Sequence, residues 1–205
     1  MAAPHTTGKL ALLTCGALTT PIVLDADLSD WPLVEGNSAG DFLLISAKRA
    51  VGSERDAADR PRRRTLAFTA RDDANLYVAL RCEVARTALD EARGNAYAYD
   101  DLIPRGGDRV ELLFDTTCDG NRFPSDLYHL VLLRTGGHVA ERGVPLGESL
   151  AAARPWPVDV RWQMREKDGV WVIETRIPLA SLGVPPGEPA ILGFNVARFD
   201  EAEEE

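Results

Sequence analysis

"VDVRWQMREKDGVWVIETRIPL", residues 158–179, alternates apolar and polar side chains in two runs divided by Lys167, Asp168 and Gly169. In the first run Val158, Val160, Trp162 and Met164 share a face; in the second Trp171, Ile173, Thr175 and Ile177 do. Successive Cβ atoms of a strand point to opposite sides of the pleat, so this period of two predicts two strands, each with unlike faces. Asp-Gly is a strong signal for a tight turn, and the two runs read as an antiparallel hairpin. Pro178 ends the second strand, and "LASLG" (179–183) reads as one short helical turn.

The same period recurs on either side. "TLAFTAR" (65–71) sets Leu66, Phe68 and Ala70 on one side, and "RDDAN" supplies turn chemistry after it. "LYVALRCEV" (76–84) turns Leu76, Val78, Leu80, Cys82 and Val84 inward, with Tyr77, Arg81 and Glu83 outward, which predicts a hairpin with one wet face. "GDRVELLFD" (107–115) has Val110, Leu112 and Phe114 inward, and "LYHLVLLR" (127–134) is apolar on both faces. "HVAERG" reads as a short strand leaving the turn at 135–137, and "AILGFNVARF" (190–199) as the last strand. "GKLALLTCGALTT" near the N-terminus is too short and polar for a signal peptide and is read as a first strand. No amphipathic helix of full length occurs. Roughly nine or ten short strands with turn signals between them predict an all-β, antiparallel, jelly-roll-like sandwich, taken as a single domain over residues 1–205.

Composition narrows the function. A formal net charge of -9 excludes nucleic acid as a partner, since phosphate binding needs a basic stripe. The basic run "RPRRR" (60–64) follows "SERDAAD" and reads as a solvated loop rather than an anion grip. Three cysteines cannot all pair; Cys82 falls in the inward register, and a bridge between Cys15 and Cys118 stays open. No stretch is long and apolar enough to span a bilayer. The long loop over 85–107 is of the length that carries function in sandwiches.

In order along the chain, "IVLDADLSDWP" (22–32), "FTARDDANLYVALRCEV", "GDRVELLFD", "DLYHLVL", "GVWVIETRIPLASLG" and "ILGFNVARFD" resemble family 9 carbohydrate-binding modules and their wider DOMON-like relatives, over about residues 22–200. The resemblance implies a non-catalytic β-sandwich of secreted, periplasmic or cell-surface location, appended either to a polysaccharide-active catalytic domain or to a surface protein. No cofactor is required; bound calcium would be structural. It also implies a further strand beyond the last one here, and so a piece of a longer protein. Glu111, in the D-x-V-E motif, would then accept hydrogen bonds from sugar hydroxyls. His129 on the following strand and Asn195 and Arg198 in "GFNVAR" would assist it. Sugar-binding members carry a Trp just before the D-x-V-E strand, where this chain reads "AYAYDDLIPRGGD". Tyr97 or Tyr99 from the loop, opposed by Trp156 between its two prolines, are the ring candidates for stacking.

Each residue has a plainer alternative. Glu111 could be a structural acid paired with Arg109, Arg198 or a backbone donor; His129 could be a satisfied core histidine. Asp115, Asp119 and Asn121 offer oxygen ligands of the kind calcium accepts, and they equally suit an Asx-rich turn. Trp31, Trp162 and Trp171 are assigned to the core. Glu111 and Glu174 are the carboxylates nearest to a glycosidase pair, but nothing sets them opposite each other, so no enzyme is expected. The expected function is recognition of a glycan end or short oligosaccharide. The alternatives are a protein-docking sandwich without sugar affinity, and a haem-binding sandwich using Met164 with His129 or His138.

Overall fold

The computed structural model describes residues 13–15, 18–40, 42, 61–85, 108–118, 126–143, 154–188 and 190–200. Ten strands form within them: β1 (Ser38–Ala39), β2 (Thr65–Arg71), β3 (Asn75–Glu83), β4 (Arg109–Asp115), β5 (Leu127–Leu133), β6 (His138–Arg142), β7 (Arg154–Pro155), β8 (Arg161–Lys167), β9 (Val170–Pro178) and β10 (Gly193–Phe199). They build two five-stranded sheets, ordered β1-β2-β3-β9-β8 and β10-β4-β5-β6-β7, and every pairing is antiparallel. The inner faces of both sheets meet in one core that includes Val78, Leu80, Leu112, Phe114, Leu130, Leu132, Trp171 and Ile173. This is the antiparallel β-sandwich that the alternation predicts.

The hairpin at 158–178 has the geometry read from its residues. Lys167 pairs with Val170, and the two loop residues, Asp168 and Gly169, both have positive φ, 54° and 74°. Two left-handed residues are the type I′ signature, whose twist matches that of the strands it joins. A Cβ at Gly169 would sit 3.7 Å from the Val84 carbonyl oxygen, an ordinary contact, so its cost lies in the backbone alone. Gly169→Ala should therefore destabilise the fold by about 1–2 kcal/mol in urea titration, with an unchanged m-value.

Two expectations change, the wet face of the β2–β3 hairpin and the strand at the N-terminus. Leu66, Phe68 and Ala70 do not face the inter-sheet core; they lie with Tyr77 and Ala79 on the outer surface of the first sheet. That surface is not wet. Ile22 and Trp31, from the segment before β1, pack onto it in a second cluster, leaving Tyr77 at 5% exposure and Ala79 at 0%. The N-terminal run forms no strand among the described residues; Thr14 and Leu18 instead donate single backbone hydrogen bonds to Gly36 and Arg71. The expected helical turn is present as a 3-10 turn at Leu179–Leu182, joined by two others at Leu28–Asp30 and Glu35–Asn37. Cys82 is a fully buried core residue, and Cys15 and Cys118 are free thiols, so the bridge left open between them is not formed. No helix among the described residues is long and apolar enough to cross a membrane.

Candidate functional site

The outer face of the second sheet carries the polar residues. Register sets Val110, Leu112 and Phe114 of β4 inward, so Arg109, Glu111, Leu113 and Asp115 point out. Leu113 stands opposite His129, which stands opposite Glu141 on β6; on the other side Leu113 faces Asn195. Glu111 neighbours Ala197 and Val131 in the next row, and Arg109 pairs with Phe199. A connected row of Arg109, Glu111, His129 and Glu141 thus crosses three strands of one sheet face.

Its internal contacts are close. The Arg109 Nε donates to Glu111 Oε1 at 2.7 Å, and the Arg109 guanidinium lies 4.1 Å above the Phe199 ring centroid. His129 Nε2 stands 3.3 Å from Glu111 Oε2, within ion-pair distance but not aligned as a hydrogen bond. The imidazole, then Arg109, holds the Glu111 carboxyl below the usual carboxylate range against the opposing pull of burial. Burial pushes the Glu141 carboxyl up, and the charge of His129 offsets this only in part. Asn195 is exposed and the Glu111 side chain retains 21% of its surface, whereas His129 and Glu141 are buried. The face is therefore open to solvent on its β10 side and closed towards β6. The acid in mid-sheet has a partner after all, and a half-wet face as well.

Glu111, His129 and Asn195 share the face expected of them. Arg198 does not. Its register partner is Val110, so it points into the sandwich, where it donates to Thr65 Oγ1 at 2.9 Å, the Glu83 carbonyl at 2.6 Å and Asp200 at 2.7 Å. Trp156 is not an exposed ring either. It is 5% exposed, meets Tyr128 edge-on at 4.9 Å between centroids, and donates through Nε1 to the Ser181 carbonyl at 3.1 Å. Two prolines flank it, but a backbone bond from Trp156 N to Ala140 O carries it under the edge of β6 and into the core. Tyr97 and Tyr99 lie outside the described residues. Two members of the face were missed from sequence: Phe199, an alternation step from Asn195 and Ala197, and Glu141.

Asp115 serves a turn. Its Oδ1 accepts from the backbone N–H of Thr117 at 3.2 Å and of Cys118 at 2.9 Å, while Asp119 and Asn121 lie outside the described residues. No group of three or more His, Cys, Asp or Glu among the described residues is arranged to hold a metal ion. Glu111 and Glu174 stand on the outer faces of different sheets, with the whole core between them, and so cannot flank one bond. His129 is likewise separated from the core-packed Met164 by the second sheet; His138 accepts from Trp162 Nε1 at 3.3 Å. A groove of about 480 Å³ opens at the β1–β2 edge, lined by Ser38, Gly40, Phe42, Arg62 and Leu66 among others, and shares no residue with the polar row.

No family model matches the sequence, and no curated protein matches it. Among solved structures, the fold is similar to that of a family 9 carbohydrate-binding module from Caldicellulosiruptor kristjanssonii in complex with cellotriose. The TM-score is 0.56 at 18% identity, over 92% of this chain and 75% of that one. The structure described as such a module in complex with glucose gives the same score and identity, over 94% of this chain and 80% of that one. At that identity the likeness establishes the sandwich fold that the ordered motifs imply; what a site on it does has to come from the site.

Proposed function

We propose that this protein is a non-catalytic carbohydrate-binding module that holds a glycan end or short oligosaccharide against the outer face of the β10-β4-β5-β6-β7 sheet. The observation that carries the reading is the row of Arg109, Glu111, His129 and Glu141, a chain of polar side chains across three strands of one sheet face with the half-exposed Glu111 and the exposed Asn195 at its open side. The fold, similar to that of modules in complex with cellotriose and glucose, supports it. Glu111 and the exposed Asn195 offer hydrogen bonds to sugar hydroxyls, His129 assists, and Tyr99 is the ring proposed to stack. Such a module works as the attached, substrate-holding part of a longer secreted or surface protein.

Calorimetric titration against cello-oligosaccharides and a glycan array tests this. Binding at millimolar concentration or tighter is expected, with Glu111→Ala weakening it roughly 10-fold or more, the worth of a hydrogen bond to a charged group. Silence across the array at millimolar sugar would dismiss the reading. One observation favours a protein-docking sandwich instead: no indole stands on the face among the described residues, since Trp156 is in the core. An array without hits would leave that alternative in place.

A further inference from the structure

We propose that the groove at the β1–β2 edge is a ligand site in its own right, separate from the polar row and independent of the carbohydrate reading, for a hydroxyl-bearing carboxylate of sugar size. The groove holds about 480 Å³, within the roughly 300–1,000 Å³ of small-ligand clefts. Ala39, Phe42 and Leu66, each half-buried, give it an apolar floor. Its rim is cationic. Arg62 and Arg64 line it and are exposed, whereas Arg63 between them turns away to Asp200 at 2.8 Å. Neither Arg62 nor Arg64 makes a side-chain ion pair or hydrogen bond among the described residues, although the chain as a whole carries a formal net charge of -9.

Main-chain groups reach the groove as well. Arg64 directs both of its own to Glu83: the carbonyl accepts from Glu83 N at 2.9 Å, and the N–H donates to the Glu83 carboxylate at 3.0 Å. Successive residues of a strand turn their backbone groups to opposite sides, so those of Thr65 point away from β3. There β1 has already ended at Ala39, opposite Ala67, and the Thr65 N–H and carbonyl have no ladder partner among the described residues. The Thr65 hydroxyl is taken by Arg198 at 2.9 Å, so the backbone is what Thr65 lends to the groove. Gly40 keeps the space clear, since a Cβ there would stand 2.7 Å from Leu66 Cδ2 and 3.9 Å from the Thr65 carbonyl oxygen. Guanidinium groups only donate, and they match a carboxylate in charge and in shape. A carboxylate without a hydroxyl would leave the Thr65 carbonyl unmet, and a neutral sugar would bring no charge to the arginines. A hydroxyl-bearing carboxylate meets both, with its carbon frame against Leu66 and Phe42. Two sources supply that chemistry: the uronate of an acidic glycan and a free hydroxy acid.

The test is titration of the full chain with glucuronate, mandelate, glucose and inorganic phosphate, read by calorimetry and by the NMR amide signals of Thr65 and Leu66. Glucuronate or mandelate is expected to bind at millimolar concentration and to move both signals; glucose should leave them in place. A response to glucuronate alone assigns the ligand to an acidic glycan, and one to mandelate alone assigns it to a free hydroxy acid; either supports the site. Arg62→Gln combined with Arg64→Gln should weaken binding roughly 10-fold or more, the worth of hydrogen bonds to charged groups. Gly40→Leu, which fills the groove and keeps both arginines, should abolish the signal shifts. Affinity for cello-oligosaccharides should be unchanged in both variants, so failure of this site and failure of the carbohydrate reading are told apart. No shift with either carboxylate, a response to phosphate as strong as to the carboxylates (an adventitious ion only), or wild-type affinity in either variant would each overturn the proposal.

Discussion

Replacing Arg134 with methionine is expected to destabilise the sandwich by about 3–5 kcal/mol, the range for removing one member of a buried ion pair. Arg134 follows β5, and its side chain is 2% exposed. It donates to Asp108 at 2.5 Å, to Glu166 at 2.8 and 2.9 Å, and to the Ala85 carbonyl at 3.5 Å. Asp108 precedes β4 in the second sheet, whereas Glu166 belongs to β8 and Ala85 follows β3 in the first. One guanidinium thus ties the two sheets together at one end, where the apolar core gives way to water. Methionine keeps the volume and withdraws the charge, so the buried Asp108 and the part-buried Glu166 each lose a cationic partner. For a chain of this size the melting temperature should fall by on the order of 6–20 °C in a calorimetric scan. Adding Asp108→Asn and Glu166→Gln should recover part of the loss, because much of it reflects negative charge left near the core without the guanidinium rather than the net worth of the pairs. A drop below about 1 kcal/mol for the single variant would show that the cluster behaves as an exposed ion pair.

What could be read from the residues depended on whether the responsible force leaves a period. The hairpin of β8 and β9 was legible because inter-sheet burial imposes alternation and because Asp-Gly marks the turn. The cover over the first sheet was not, since the segment before β1 is irregular and packs Trp31 and Ile22 without a repeat. Trp156 misled for a related reason: its prolines advertise a loop, while burial depends on a single long-range bond to Ala140. Arg198 is different, because the information was there. Asn195 and Arg198 are three residues apart on one strand, and a period of two cannot set both on the same face. Glu141 was also within reach. The turn after Leu133 pairs residues equidistant from Thr135, which brings His129 opposite Glu141 once that turn is trusted to set the register.

Glu174→Leu should release the segment before β1 from the first sheet, at a cost of about 2–4 kcal/mol, roughly one to two unmatched buried donors. Glu174 is fully buried on the outer face of β9. Its Oε2 accepts from the backbone N–H of Asp25 at 2.8 Å and also from that of Ala26; its Oε1 accepts from the Trp31 indole at 2.5 Å. The acidic opening motif is therefore a clasp: "DADLSDW" wraps its own N–H groups round one carboxylate, and Trp31 meets Tyr77 edge-on beneath it at 6.5 Å. Leucine satisfies none of the three donors. They can regain partners only in water, so the segment should peel away rather than the whole fold collapse, which caps the loss below the sum of three. Hydrogen exchange should report this locally, with protection lost across residues 18–37 and kept in β4 and β5. Glu174→Gln separates charge from shape: its amide nitrogen must face either the indole or the backbone donors, so an intermediate loss is expected. A Gln variant as stable and as protected as the wild type would show that the clasp needs only an acceptor of the right size, not a carboxylate.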